Sequence, residues 1–372
     1  MNQTRLPHVL PPEAYRSNEQ HAREQARIFG PGWHAVGALD EIPRDGDFFT
    51  REVQGKPLLV RNHEGSPRAF LNVCAHRHSL LTHAPRGSLP RLRCQYHGWE
   101  YDGDGAACKI PDAACFTPLR RGEERLRAYR TATLGKLLFV AFDDGAIPLD
   151  DWLGPRSVAL GRRLFGGDVR LAFDATLDHP CNWKIPLENV LESYHVPLLH
   201  DNVITRHPRL FRVFNGAPAG EREAHELGDR FTEAHDSLGG ESKAYRALLR
   251  LFRATATTDF VLHHAFPNLL FGHSAVISFF QVVHPVTATT SRSFVRMYLD
   301  LGQPARPLAE RLVAPLVDRV AERLYMGVMR EDFPIFPDLQ RGLSASPHPG
   351  VLGAREERVH HFQAYVAEQT AS

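Results

Sequence analysis

The residues best equipped for chemistry lie between Cys74 and His97. Cys74-Ala75-His76-Arg77-His78 forms one stretch, and after the seventeen residues that follow His76 comes Cys94-Gln95-Tyr96-His97. Two thiolates and two imidazoles thus come from two short segments, one of each from each. Zinc accepts two sulfurs and two nitrogens in a tetrahedron, but zinc spacings usually set the two Cys together and the two His together. The mixed pairing suits instead a [2Fe–2S] centre whose one iron is held by two Cys and whose other is held by two His. Imidazole is neutral where thiolate is charged, so such a centre has a potential of about −150 to +300 mV and passes single electrons. With five Cys and 21 His in 372 residues, four prescribed positions coincide by accident on the order of once in a thousand such chains. The pattern is therefore read as a ligand set.

Around these positions the chain resembles the Rieske proteins. Cys94-Gln95-Tyr96-His97-Gly98-Trp99 is similar to that family's second cluster loop and Cys74-Ala75-His76-Arg77 to its first. One departure is visible: where the family usually follows the Arg with Gly, this chain has His78.

A second group lies downstream. Asn182-Trp183-Lys184 leads into Glu188-Asn189 and then Glu192-Ser193-Tyr194-His195, with His200 beyond. On a continuous helix, residues five apart stand about 140° away from a common face, so His195 and His200 need a break between them to meet one ion. Pro197 disfavours helix at Val196 and is expected to end a helix, spanning Pro186 to His195, near His195. The following loop then swings His200 round. Glu192, three residues before His195, falls on the same helical face.

Taken with the cluster motif, these elements resemble the catalytic α subunit of Rieske non-haem iron ring-hydroxylating oxygenases. The resemblance implies a mononuclear Fe(II) held by His195, His200 and a downstream carboxylate, the two-His-one-carboxylate set that leaves open positions. Glu331-Asp332, followed by Gln340-Arg341-Gly342-Leu343, is similar to the family's C-terminal segment, which implies Asp332 as the third ligand with Glu331 in reserve. It implies that Glu192 links a cluster His of a neighbouring subunit to an iron-ligating His, in a homotrimer. It further implies O₂ as co-substrate, a small-molecule substrate, and NAD(P)H reaching the protein only through a partner reductase, with or without a ferredoxin. The outcome would be dihydroxylation, monohydroxylation, or oxidative N- or O-demethylation of a methylated amine or aromatic ether. A pure Rieske electron carrier would leave everything after about Phe142 without a task.

The elements that must position these residues fall into an α+β pattern. Ser17-Asn18-Glu19-Gln20 is a capping box that opens a helix ending at Gly30-Pro31-Gly32. From Trp33, short β-type runs (Phe48 to Val53, Lys56 to Arg61, Arg68 to Val73, Leu137 to Phe142) alternate with Gly turns. Residues 1–32 are thus expected to be an N-terminal helix packing on the catalytic domain, 33–150 a small antiparallel Rieske β domain, and 151–372 the catalytic mononuclear iron domain, with a linker from Asp143 to Pro155. The resemblance gives the last domain a helix-grip (Bet v 1/START-like) fold, an antiparallel sheet with a long C-terminal helix. Strands are expected at Val169 to Leu177, Asp259 to His264, Leu269 to His273, Ala275 to His284 and Ser291 to Leu301, and a helix at Glu241 to Phe252. Leu308, Leu312, Leu316, Val320, Leu324 and Val328 recur every four residues as one apolar stripe. Pro315 should kink that helix or move its start. A last helix covers Ala354 to Thr370. Net charge near +1 gives no sign of nucleic-acid binding. Neither a signal peptide nor a membrane span is read, and the expected location is the cytoplasm. Cys108, Cys115 and Cys181 are expected to be small buried residues.

Overall fold

Gln54-Gly55 and Glu64-Gly65 each join two apolar-alternating runs, and both pairs take positive φ (53° and 67°, 53° and 78°). That is the two-residue hairpin whose twist matches its strands, and it sets Val53 opposite Lys56 and His63 opposite Ser66. The computed structural model in which these turns are seen describes residues 5–118, 124–200, 224–228, 230–237, 259–274, 277–300 and 307–371. The chain divides into two units: Phe29–Trp152, and Met1–Ile28 with Leu153–Ser372.

The first unit holds strands β1 (Trp33–Ala38), β2 (Asp47–Val53), β3 (Lys56–His63), β4 (Ser66–Leu71), β5 (Arg86–Ser88), β6 (Leu92–Arg93), β7 (Glu100–Tyr101), β8 (Ala107–Lys109), β9 (Ala128–Leu134) and β10 (Leu137–Ala141). Seven form one sheet in the order β1-β10-β9-β4-β3-β2-β5, and β6-β7-β8 form a second, smaller one. The first ligand stretch follows β4 and the second joins β6 to β7. Beneath both lies a buried cluster of Phe48, Leu59, Phe70, Leu81, Leu92, Trp99, Tyr101 and Leu126, which also takes in Cys74 and Cys94.

The second unit is built on a seven-stranded antiparallel sheet of β11 (Arg170–His179), β12 (Ala224–Gly228), β13 (Phe231–Ser237), β14 (Asp259–Ala265), β15 (Leu269–His273), β16 (Ile277–Thr287) and β17 (Thr290–Leu299), ordered β11-β17-β16-β15-β14-β13-β12. Its helices are α1 (Asn18–Glu24), α2 (Leu149–Phe165, starting in the first unit and broken at Gly154), α3 (Lys184–Val190), α4 (Val196–Leu199), α5 (Pro307–Asp332), α6 (Ile335–Ala345) and α7 (Glu357–Thr370). Phe279 and Met297 of the sheet pack with Ala321 of α5, joined by Phe173, Leu262, Ile277 and Tyr325. Arg170 of β11 fastens α5 by a two-pronged pair with Asp318 at 2.8 and 2.5 Å. The Ser17 hydroxyl caps α1 by accepting the Gln20 N–H at 3.2 Å, and Gln20 donates to Thr370 of α7 at 3.1 Å.

Several expectations need correction. The helix before His195 ends at Val190, and Pro197 sits in the first turn of α4 rather than ending anything. Proline is well suited to that place, because its missing N–H would be unbonded there in any case. The long helix begins at Pro307 and runs on through Pro315, which forfeits one backbone bond but lies within a helix held by its packed face. Cys108 and Cys115 are exposed, and only Cys181 of the three is buried. The expected helix at Glu241 to Phe252 lies outside the described residues, as do residues 275–276 at the start of the expected Ala275 strand.

Candidate metal centres

The two cluster loops are built alike. In the first, the His78 N–H donates to the Cys74 carbonyl at 3.1 Å and the Cys74 N–H to the Ser79 carbonyl at 2.8 Å. In the second, Gly98 donates to Cys94 at 3.0 Å and Cys94 to Trp99 at 2.8 Å. Closing this turn takes a left-handed residue in the fifth position, and His78 (φ 58°) adopts the same conformation as Gly98 (φ 72°). The departure from the family pattern therefore leaves the turn intact at the cost of strain in one side-chain-bearing residue.

Both thiols are buried, Cys74 at 1% and Cys94 at 2% exposure, while the imidazoles lie nearer the surface. His76 and His97 have ring centroids 4.8 Å apart, and His76 lies flat on Trp99 at 4.9 Å. Tyr101 places its hydroxyl 3.0 Å from the Cys74 sulfur while accepting the Ala75 N–H at 3.1 Å. Burial pushes the Cys74 thiol up, with the Tyr101 hydrogen bond working against it, and desolvation and His97 hold the His76 imidazole down. Two buried thiols beside two imidazoles form a donor set that a metal centre would convert to its thiolate form. Tyr101 had no signature in the sequence; its hydroxyl joins β7 to the loop that follows β4.

In the second unit, His195, His200 and Asp332 converge. Their nearest donor atoms all lie within 4.8 Å of one another. The Asp332 Oδ1 stands 3.3 Å from His200 Nε2 and 3.8 Å from His195 Nε2. Metal–donor bonds of about 2.1 Å at angles between octahedral and tetrahedral put donors about 3.0–3.4 Å apart, so the spacing is that of a shared ion with slight contraction. The break between α3 and α4 makes this possible: His195 precedes the single turn of α4 and His200 follows it, with ring centroids 5.3 Å apart.

Each imidazole is held from behind. The Nδ1 of His195 meets the Glu192 carboxylate, and the Nδ1 of His200 meets Glu331 at 3.0 Å. A carboxylate on Nδ1 draws the proton there and leaves the Nε2 lone pair facing the ion. Among the described residues, the Asp332 Oδ1 is buried with no hydrogen-bond partner, in a residue 1% exposed. Burial raises the Asp332 pKa, opposed first by the two histidines. A buried carboxylate oxygen in that position is costly unless a cation meets it, and the donor set fits such a cation.

Glu192 makes its contact by a route other than the expected one, since residues 191–195 are not helical. One oxygen takes the His195 ring and the other accepts the backbone N–H groups of Tyr194 and His195. Sequence reasoning held Glu331 only as a substitute for Asp332.

Residues 168–372 match the family of ring hydroxylating alpha subunits (catalytic domain), and residues 32–130 match the Rieske [2Fe-2S] domain. The large subunit of anthranilate 1,2-dioxygenase from Burkholderia cepacia is 32% identical over 203 residues, 51% of this chain and 47% of that one. The glycine betaine monooxygenase oxygenase subunit of Chromohalobacter salexigens is 31% identical over 205 residues, 53% of this chain and 44% of its own. The chain thus spans, in its matched stretch, about half the length of the curated relatives. A crystal structure of the quaternary ammonium Rieske monooxygenase CntA with an inhibitor shares the fold over 99% of this chain and 96% of its own, with a TM-score of 0.79 at 19% identity.

Proposed function

Because the chain belongs to the ring-hydroxylating alpha subunits that carry a Rieske domain, we propose that it is a terminal oxygenase component. It would insert oxygen from O₂ into an organic small molecule with electrons from a separate NAD(P)H-dependent reductase, directly or through a ferredoxin. The observation that carries this reading is the buried, unpartnered Asp332 oxygen aimed at the Nε2 atoms of His195 and His200. Cys74, Cys94, His76 and His97 would hold the [2Fe–2S] cluster, and His195, His200 and Asp332 the ferrous ion. When bound, the cluster supplies single electrons and the ion, held on one face, supplies open positions for O₂.

The rest is done by this chain's side chains. Glu192 and Glu331 hold the two imidazoles in one tautomer. A carboxylate has about four lone-pair sites, of which Glu192 uses three, two on one oxygen and one on the other. The fourth is available to an imidazole N–H of a neighbouring subunit's cluster, which supports the trimer and the bridging role. Five free cysteines suit the reducing cytoplasm. Among the described residues no helix is long and apolar enough to cross a membrane.

A second reading is oxidative N-demethylation or monooxygenation of a methylated amine, favoured by the betaine monooxygenase and the quaternary ammonium monooxygenase among the similar proteins. Metal analysis with NADH-driven O₂ uptake over aromatic acids, arenes and quaternary amines tests both. The expected result is about three irons per chain and uptake coupled to a hydroxylated or demethylated product. Iron only at cluster stoichiometry, with no uptake on any substrate class, would make the protein an electron carrier.

A further inference from the structure

Successive residues of a strand face opposite sides of the sheet. On β14, Leu262 packs towards α5 with Phe279, Met297 and Ala321, and the His264 ring lies 5.6 Å from Phe362 of α7. His263 between them therefore faces the other way. The register sets Glu233 of β13 directly opposite His263, with Phe231 two residues along on the same side. The His263 ring lies 5.4 Å from Phe231 and 5.3 Å from His273 of β15, nearly parallel to the latter at 12°. Three strands thus present a row of rings, and the Glu233 carboxylate stands 2.9 Å from His263 Nδ1.

Helix α2 meets this row with a stripe of its own. Arg156, Ala159, Leu160 and Arg163 fall within about 100° of one another round a helix, and the two Arg stand about 10.5 Å apart along it. Phe165 seats the end of α2 on the sheet, 5.8 Å from the rings of Phe271 and of Phe280. Arg163 Nη2 donates to His273 Nε2 at 3.2 Å. Between the stripe and the rings lies a cleft of about 380 Å³, lined by the four stripe residues with Phe231, Glu233 and His263.

The cleft has an apolar wall of Ala159, Leu160 and Phe231, and two guanidiniums against one carboxylate, which is turned to His263. A guanidinium matches a carboxylate through two parallel N–H bonds. The volume is at the lower end of small-molecule sites, about 300–1,000 Å³. Asp332 is carried by α5, which packs on the opposite face of the sheet, so this cleft is no part of the metal site.

We propose that the cleft binds a small organic carboxylate with an apolar body: Arg156 and Arg163 take the charge, and Leu160 and the Phe231 ring take the body. The site stands independently of the reading of His195, His200 and Asp332 as iron ligands.

The test titrates benzoate by calorimetry into the full-length protein stripped of mononuclear iron, with inorganic phosphate, benzamide and benzylamine as comparison probes and a melting curve beside each. Benzoate should bind with a dissociation constant of about 1 mM or below and raise the melting temperature as its concentration rises. Benzamide, of the same shape without the charge, and benzylamine, of opposite charge, should bind at least about 10-fold more weakly. Arg156→Gln and Arg163→Gln should each cost about 10-fold, the order of one charge-assisted pair. Ala159→Trp, which sets an indole into the cleft from an exposed position, should remove one benzoate site, whereas benzoate held anywhere else, the catalytic side included, would leave the number of sites unchanged. Because Arg163 also holds His273, Arg156→Gln and Ala159→Trp decide alone should Arg163→Gln not fold. No benzoate site in the wild type, sites unchanged in number and strength in Ala159→Trp and Arg156→Gln, or benzamide bound as well as benzoate would each overturn the proposal. Phosphate bound more tightly than benzoate would overturn it too, by making the cleft a site for inorganic anions.

Discussion

Asp332→Asn should have two effects of opposite sign that trace to one atom. In metal-stripped protein it should raise the melting temperature, and in the loaded protein it should empty the mononuclear site. The Oδ1 of Asp332 is buried without a hydrogen-bond partner among the described residues, and it looks at two imidazole Nε2 atoms 3.3 and 3.8 Å away. An amide removes the buried charge and can turn an N–H donor towards those acceptors. A buried unsatisfied acceptor costs about 1–3 kcal/mol. A gain of about 1–2 kcal/mol is therefore expected, or about 2–8 °C for a unit of this size. With iron the sign reverses, because a charged ligand is lost, and affinity should fall by more than the roughly 100-fold that removal of an outer partner costs. Glu331→Gln is the control: it keeps an acceptor for the His200 ring and should lose about 10-fold or less. Calorimetry of the stripped proteins and ferrous titration of each measure the two effects. A stripped Asp332→Asn protein that melts below wild type, or a Glu331→Gln protein that empties the site while Asp332→Asn keeps it, would refute the assignment of Asp332 as the ligand and Glu331 as the group behind His200.

Glu192→Gln should keep iron and a reducible cluster but slow reoxidation of the reduced cluster by O₂ with substrate at least about 10-fold, because an amide offers one accepting oxygen where the carboxylate uses both; wild-type speed in single turnover would remove it from the electron path. His76→Cys with His97→Cys should retain a [2Fe–2S] spectrum with the potential falling towards about −400 mV, and an unchanged potential by protein-film voltammetry would mean that the ligands are others. His78→Gly should relieve the left-handed strain at φ 58° and, after the extra freedom of glycine in the unfolded chain, raise cluster-domain stability by about 0.5 kcal/mol; a clear loss in a melting curve would show that the His78 side chain contributes more than its backbone costs. Burial raises the Glu188 carboxyl from 4.5 to about 7, with Tyr15 and Gln363 opposing. The folded state therefore binds more protons than the unfolded between those values, and stability falls as pH rises through that window by about 1–3 kcal/mol. In Glu188→Gln denaturation curves that slope should flatten.

The candidate cluster ligands were legible because they are local. Cys74 and His76, and Cys94 and His97, sit in two five-residue turns, and such spacing survives in sequence whatever the rest of the fold does. His195 and His200 were legible for the same reason, although the cause assigned to their convergence was misplaced: the chain leaves its helix at Val190, and Pro197 begins the next turn. Asp332 lies far along the chain, and no spacing rule reaches it. Its candidacy came from resemblance, and the structure adds the distances to both imidazoles.

What the sequence by itself determined is the set of candidate donors, the two-unit order of a β domain followed by an antiparallel sheet with a long helix, and the hairpins written in Gln54-Gly55 and Glu64-Gly65. What only the tertiary structure decided is how those donors are held. Tyr101 of β7 reaches Cys74 in the loop after β4, Glu331 turns to the back of His200 while its neighbour Asp332 turns to the front, and Tyr15, Glu24 and Gln363 meet α3 from the two ends of the chain. A side chain's orientation depends on what packs behind it, and here those partners lie from 27 to 175 residues away, beyond the reach of any local pattern.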